Sequence, residues 1–202
     1  MNVAVLASGA GTNLQALLDR VHGREGIHVV AVVSDRPDAP ALDRAGRAGV
    51  ETAVFPAAGF PSRAGRDQAM ADWLVSRDVE LVVLAGYMQL LSEVFLDRFH
   101  QRVINVHPAL LPAFPGLRAV EQALEYGVRV FGVTVHFVDE GVDSGPIILQ
   151  RAIEIPDPED AAGVLSRLQP IEHELLPEAV RLIAANAVHI EPSSPRRVVI
   201  DR

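Results

Sequence analysis

Residues 3–13 have the sequence Val3-Ala4-Val5-Leu6-Ala7-Ser8-Gly9-Ala10-Gly11-Thr12-Asn13. An apolar run that ends in glycines and small polar residues is typical of a buried strand that turns sharply into a helix. In the helix that follows, Leu14, Leu17 and Leu18 recur at the spacing that places them on one face. These residues predict the first strand–loop–helix unit of an α/β fold.

The same alternation continues through the first half of the chain. Further apolar strands are predicted at 27–33, 50–55, 81–85 and 102–106, with helices at 38–48 and 63–77. Short apolar runs with helices between them indicate a mostly parallel, twisted sheet that helices cover on both faces.

The pattern changes after residue 107. A helix is predicted at 117–126, and two long strands at 130–138 and 146–155 are joined by a polar, glycine-bearing connection. That connection predicts an antiparallel hairpin in the C-terminal half. A helical stretch at 159–187, broken near Pro170 and Pro177, is followed by a surface arm from residue 191.

Composition excludes several classes of chemistry. The 202-residue chain has no cysteine, and all 18 of its basic side chains are arginine, which excludes thiol nucleophiles, zinc–thiolate sites and lysine Schiff bases. A formal net charge of −8 argues against a nucleic-acid partner. No apolar run is long enough to cross a bilayer, so no membrane partner is expected. No spacing of His, Asp and Glu indicates a metal site. The chain opens on a strand without a basic signal segment, so we expect a cytoplasmic protein.

The loop at residues 8–13 suits an anion. Glycines let the backbone approach a ligand, and Thr12 or Asn13 can cap the helix while backbone N–H groups face a phosphate. One alternative is a tight turn that binds nothing. Another is a dinucleotide site with Asp35 holding a ribose, although Leu14 stands where that fingerprint needs its third glycine.

Two polar residues occupy alternate positions of the apolar strand near residue 105. Asn105 and His107 are two residues apart, so their side chains face the same side of the strand. They stand at the carboxyl end of a predicted parallel strand, where open α/β sheets bind their ligands. A strand-end histidine that only makes a structural hydrogen bond is the simpler alternative.

Two motifs carry a family resemblance. Asn105-x-His107-Pro108 is followed by Leu110-Leu111-Pro112-x-x-Pro115-Gly116, and His136-Phe137-Val138 is followed by Asp143-x-Gly145-Pro146-Ile147. In this order and spacing they resemble the signatures of folate-dependent formyltransferases. The resemblance extends to about residue 187 and implies that Asn105, His107 and Asp143 are catalytic.

The resemblance also implies binding residues. The loop at 8–13 is similar to the phosphate loop of members that formylate glycinamide ribonucleotide, with Thr12 where Ser is commoner. It assigns the acceptor phosphate to Gly11, Thr12 and Asn13, and further acceptor contacts to Gln169 and Glu172. The folate-binding residues that it implies are Arg63, Met88, Gln89, Leu90, Leu91, Asn105, Asp139, Glu140, Gly141, Val142 and Asp143. The family often has Arg where Gln89 stands.

The function implied is formyl transfer from 10-formyltetrahydrofolate, as co-substrate, to the amine of glycinamide ribonucleotide in purine biosynthesis. The mechanism expected is direct, without a covalent intermediate or a metal. Alternatives are a related formyltransferase that acts on another amine-bearing phosphate or sugar, and a non-catalytic folate- or nucleotide-binding module. We predict one domain over 1–202, with a phosphate-binding lobe at 1–100, a catalytic and folate-binding lobe at 101–190 and a tail at 191–202. Both a monomer and a homodimer remain open.

Overall fold

The structure, a computed structural model, describes residues 1–201. The chain divides into two compact units, one formed by Met1–Asn105 and the other beginning at Val106. No helix within residues 1–201 is both long and apolar enough to cross a membrane.

Strands and helices alternate in the first unit. Its elements are β1 (Asn2–Leu6), α1 (Thr12–Arg20), β2 (His28–Ser34), α2 (Pro40–Arg47), β3 (Glu51–Val54), a short 3-10 helix (Ala57–Gly59), α3 (Arg63–Val75), β4 (Leu81–Leu84) and α4 (Glu93–Arg98). The next strand, β5 (Val103–His107), contains the boundary between the units.

The second unit contains the remaining elements. They are α5 (Ala119–Tyr126), β6 (Val130–Phe137), β7 (Ile147–Glu154), α6 (Ala161–Ala184), β8 (Val188–Ile190) and β9 (Val198–Ile200). Strands β6 and β7 pair antiparallel from Val130–Glu154 to His136–Ile147, with a register shift between Val135 and His136.

A seven-stranded sheet has the order β3-β2-β1-β4-β5-β6-β7. The pairs β1–β2, β2–β3, β1–β4 and β4–β5 are parallel. The chain therefore winds outward from β1 in one direction to β3 and in the other to β4. At such a switch point the loops that follow the two central strands separate, which opens a crevice at their carboxyl ends.

The core of the first unit explains why these strands form. Every residue of β4 is buried, and in β1 only Asn2 is not, as expected for parallel strands that are covered on both faces. On α1, Leu14 and Leu17 are fully buried. Burying one such leucine stabilises the fold by about 1.5–3 kcal/mol.

The predicted fold class, a mostly parallel α/β sheet with an antiparallel pair in the C-terminal half, is confirmed. One local prediction was wrong. Helix α6 continues through Pro170 and Pro177, because its apolar stripe, which includes Val164 and Leu168, is buried and offsets the lost hydrogen bonds. The arm after residue 191 contains β9, which pairs antiparallel with β8.

Candidate active site

The glycine loop lies between β1 and α1, at the carboxyl end of the sheet. Gly11 is the N-cap of α1 and has a left-handed backbone with φ of 71°. A Cβ at Gly11 would lie 2.8 Å from Ala41, so both backbone and space require glycine there. Thr12 is the first helical residue, so the prediction that Thr12 or Asn13 is the cap was wrong. Because Gly11 has no side chain, no side-chain hydrogen bond is made from the N-cap to the first N–H groups of α1.

Arg44 of α2 makes hydrogen bonds to this loop and to the helix that follows it. Its Nε donates to the carbonyl of Ala10 at 2.8 Å, and its Nη1 donates to Oε1 of Gln15 at 3.1 Å. Both acceptors are neutral. The guanidinium therefore adds positive charge beside the glycine loop of a protein whose formal net charge is −8.

The segment that follows β4, residues 88–91, has a partly apolar surface. Met88 and Leu90 are 60% and 57% exposed, whereas Gln89 and Leu91 are half-buried. Two exposed apolar side chains beside the switch point can receive a flat, partly apolar ligand. Arg63, which the family resemblance also links to folate, is exposed at the first residue of α3.

Asn105 and His107 lie on β5 as predicted, two residues apart on the same strand. His107 is buried, with 5% of its surface exposed. Its Nε2 lies 2.9 Å from the carbonyl oxygen of Phe114, and its Nδ1 lies 3.3 Å from Oδ2 of Asp143. A carbonyl and a carboxylate only accept hydrogen bonds, so each ring nitrogen of His107 faces an acceptor.

Asp143 has a left-handed backbone with φ of 50°. For a residue with a side chain this conformation costs about 1–2 kcal/mol, and the surrounding contacts must hold it in place. One of those contacts is the backbone N–H of Gly116, which donates to Oδ2 of Asp143 at 2.8 Å. Phe114, whose carbonyl faces His107, is also left-handed, with φ of 53°.

His136 is a second histidine beside Asp143, and no role for it is predicted from the sequence. Its Nε2 lies 3.5 Å from Oδ1 of Asp143, and its Nδ1 lies 2.7 Å from the carbonyl oxygen of Phe137. The side chain is almost completely buried on β6. The signal in the sequence is its alternation with Thr134, another polar residue that is buried in this apolar strand.

The pKa of Asp143 reflects two opposing influences. Burial is the largest and raises it. The hydrogen bond from His136, the N–H of Gly116 and the charge of His107 together outweigh burial, and they lower the pKa of Asp143 from 3.8 to about 2. The carboxylate is therefore ionised at neutral pH and can orient His107.

The loop at residues 139–145 is built around Asp139. Its Oδ1 accepts from the N–H of Gly141 at 3.1 Å and from the hydroxyl of Ser144 at 2.6 Å. At the end of the loop only glycine fits at position 145, since a Cβ there would lie 1.8 Å from the carbonyl oxygen of Phe137. In this loop Glu140, Gly141 and Val142, predicted to contact folate, are all exposed.

The remaining predicted residues, Gln169 and Glu172, lie on α6. They are three residues apart and thus on one face of the helix. Gln169 is exposed and Glu172 is half-buried. Residues 1–201 contain no group of three or more His, Asp and Glu side chains that could hold a metal ion.

Comparison with known proteins assigns this arrangement to a family. Residues 1–180 match the family described as "Formyl transferase". The chain belongs to the formyl transferase family. Membership confirms the resemblance predicted from the sequence motifs and establishes the chain as a transferase.

Formyl transferases of this type occur both alone and within longer proteins. Phosphoribosylglycinamide formyltransferase of Bacillus subtilis is 39% identical over 88% of this chain and 92% of its own length. The trifunctional purine biosynthetic protein adenosine-3 of Drosophila melanogaster is 42% identical over 94% of this chain, which spans only 14% of that protein. The crystal structure of glycinamide ribonucleotide transformylase 1 from Symbiobacterium toebii is 48% identical, with a TM-score of 0.96 over 100% of this chain and 94% of its own.

Proposed function

We propose that this protein transfers the formyl group of 10-formyltetrahydrofolate to the primary amine of glycinamide ribonucleotide, in the cytoplasm. The observation that carries the proposal is the setting of His107, held between the carboxylate of Asp143 and the carbonyl of Phe114, with Asn105 two residues earlier on β5. A buried histidine whose ring nitrogens both face acceptors, beside a neutral amide donor, suits a reaction that develops negative charge on a carbonyl oxygen.

In the proposed reaction the acceptor amine attacks the formyl carbon and the carbonyl oxygen becomes an oxyanion. Asn105 donates a hydrogen bond to that oxygen, and protonated His107 stabilises it electrostatically. The carboxylate of Asp143 orients His107 and assists the transfer of a proton from the attacking nitrogen to the departing nitrogen of folate. The C–N bond to folate then breaks. With no cysteine or lysine in the chain, direct transfer is the simplest route.

The binding residues follow the same proposal. Gly11, Thr12 and Asn13 bind the acceptor phosphate at the start of α1, where backbone N–H groups and the helix dipole favour an anion. Gln169 and Glu172 bind the acceptor beyond its phosphate. Folate lies against residues 88–91 and 139–143, and Arg63 pairs with a carboxylate of its tail. The names of the Bacillus and Symbiobacterium relatives support this choice of acceptor.

One assay tests the acceptor. Purified protein is mixed with 10-formyltetrahydrofolate and with glycinamide ribonucleotide, its dephosphorylated form or an amino-sugar nucleotide, and formyl transfer is measured. We expect turnover of the ribonucleotide and at least a tenfold lower kcat/KM without the phosphate, because each charge-assisted hydrogen bond contributes about 1.5–3 kcal/mol. Preference for the amino sugar would overturn the choice of acceptor. Folate binding without transfer would favour a binding module.

A second assay tests the catalytic residues. Asn105→Ala and His107→Ala should each lower kcat by about 100-fold or more while folate still binds, because each removes a contact made to the developing oxyanion. His189→Ala, which removes a half-exposed histidine on β8, is the control and should leave kcat unchanged. Single-turnover rates equal to the parent in both Asn105 and His107 variants would refute the mechanism.

A further inference from the structure

Gln89 stands where the family resemblance predicts a folate contact, yet its amide has two partners within the first unit. Its Nε2 donates to Oδ2 of Asp35 at 3.0 Å, and its Oε1 accepts from Nη1 of Arg66 at 3.3 Å. The carboxylate on one side and the guanidinium on the other determine which atom of the amide is the nitrogen and which is the oxygen. Gln89 therefore satisfies a carboxylate and a guanidinium at once.

The Asp35 side of this arrangement leads to the glycine loop. The hydroxyl of Ser8 donates to Oδ1 of Asp35 at 2.5 Å and accepts from the N–H of Met88 at 2.9 Å. The N–H of Ser8 also donates to the carbonyl of Gly86 at 3.1 Å. Ser8, which belongs to the glycine loop, is thus joined to residues 86–89 by three hydrogen-bonded links, one of them through Asp35.

The Arg66 side is buried and rigidly held. Arg66 and Asp67 are 2% and 0% exposed, and Nε of Arg66 donates to Oδ1 of Asp67 at 2.8 Å. Nη2 of Arg66 donates to the carbonyl of Leu90 at 3.2 Å, and Oδ2 of Asp67 accepts from the N–H of Ser92 at 2.6 Å. The pair therefore fixes the backbone on either side of Leu91.

The segment at 88–91 is thereby tied to the protein through the N–H of Met88, the side chain of Gln89 and the carbonyl of Leu90. We infer that Gln89 is a positioning residue: its amide holds the folate-facing segment in place by joining Asp35 to Arg66, and does not itself contact folate. This inference rests on the proposed function, since it assumes that residues 88–91 receive the folate.

The position requires one donor and one acceptor at the same end of a side chain. Glutamate would keep the acceptor for Arg66 but would set a second carboxylate against Asp35, where like charges repel. Swapping the amide and the carboxylate between the two positions restores every partner, because an amide at position 35 then donates to a carboxylate at position 89. Gln89→Glu combined with Asp35→Asn is such an exchange.

We expect Gln89→Glu to raise the KM for 10-formyltetrahydrofolate about tenfold, with kcat at saturating folate within about twofold of the parent. The double variant Q89E/D35N should return that KM to within about twofold. Gln68→Glu is the matched control. The amide of Gln68 also donates to a carboxylate, that of Asp72 at 2.9 Å, but on the exposed surface of α3. The KM of this variant for 10-formyltetrahydrofolate should therefore not change.

Amide hydrogen exchange provides a readout that does not depend on activity. In Gln89→Glu without ligand, the Met88 N–H, which is bonded to Ser8, should exchange about tenfold faster than in the parent, and Q89E/D35N should restore its protection. An unchanged KM and unchanged exchange in Gln89→Glu would overturn the inference. So would a raised KM that the double variant fails to recover, because Gln89 would then act by its own contact with folate. If the parent transfers no formyl group, the proposed function fails, and the exchange measurement still decides whether Gln89 positions this segment.

Discussion

Replacing Asp143 by Asn tests the electrostatics around the two histidines. Asn keeps the size of the side chain but removes its charge, so His107 and His136 lose the carboxylate that lies 3.3 Å and 3.5 Å from their ring nitrogens. If that carboxylate is stabilised as strongly as its lowered pKa indicates, the free energy of unfolding of the variant must depend on pH differently from that of the parent.

The magnitude follows from the pKa of Asp143, which falls from 3.8 to about 2 on folding. The difference between these two pKa values corresponds to about 2 kcal/mol, and the side chain is only 15% exposed, so little of this is lost to solvent screening. Because the folded pKa is the lower one, this stabilisation is complete above about pH 5. It decreases as the pH falls through 3.8 and vanishes below 2. About 1 kcal/mol of it should be lost by pH 3.

The assay is urea unfolding of the parent and Asp143→Asn at pH 5, 4 and 3. Other carboxyl groups titrate in both proteins, so the difference between the two free energies of unfolding isolates Asp143. That difference should shrink by about 1 kcal/mol between pH 5 and pH 3. A difference that stays constant over this range would mean that Asp143 has an ordinary pKa, and its proposed role in orienting His107 would lose its physical basis. A carboxyl-carbon NMR titration of Asp143 checks the same value directly.

Three further outcomes are expected. Arg44→Gln should raise the KM for the phosphorylated acceptor about tenfold and leave the dephosphorylated one unaffected, which steady-state kinetics with both acceptors would check. Arg196→Ala removes the 3.0 Å bond from Nη1 to the carbonyl of Ser144 and should raise the KM for folate two- to threefold; an unchanged KM would leave the tail without a part in folate binding. Gly145→Ala should destabilise the fold by about 3 kcal/mol or more, seen as a lower Tm, because its Cβ would lie 1.8 Å from the carbonyl of Phe137.

The sequence was sufficient where a pattern is local. Apolar runs between helices predicted where the strands lie along the chain, and the alternation of Asn105 and His107 on one strand predicted two polar groups on the same side. Asp143 could not be derived in this way, since nothing in its own neighbourhood pairs it with His107. Its assignment came from the family resemblance.

The parts that were missed depend on contacts between residues far apart in the chain or on backbone groups. The partner of Gln89 is Asp35, 54 residues earlier, and the acceptor for Nε2 of His107 is a carbonyl whose direction depends on the left-handed backbone of Phe114. Every residue has a backbone carbonyl, so the sequence does not show which one accepts a hydrogen bond. His136 was visible as a residue, but its burial beside Asp143 depends on the loop that follows β6.

The unbroken course of α6 through two prolines has a mechanical consequence. Pro170 and Pro177 lack an N–H, so the backbone hydrogen bonds to the carbonyls four residues before them cannot form. A helix bends at lower cost where such bonds are missing. The prolines are seven residues apart, about two turns, so both weaken the same side of the helix. Gln169 and Glu172 lie on either side of Pro170, and Leu175 and Leu176 are buried in the core further along the helix. The proposed acceptor contacts therefore lie where α6 bends at lowest cost, between the buried residues Val164 and Leu168 on one side and Leu175 and Leu176 on the other.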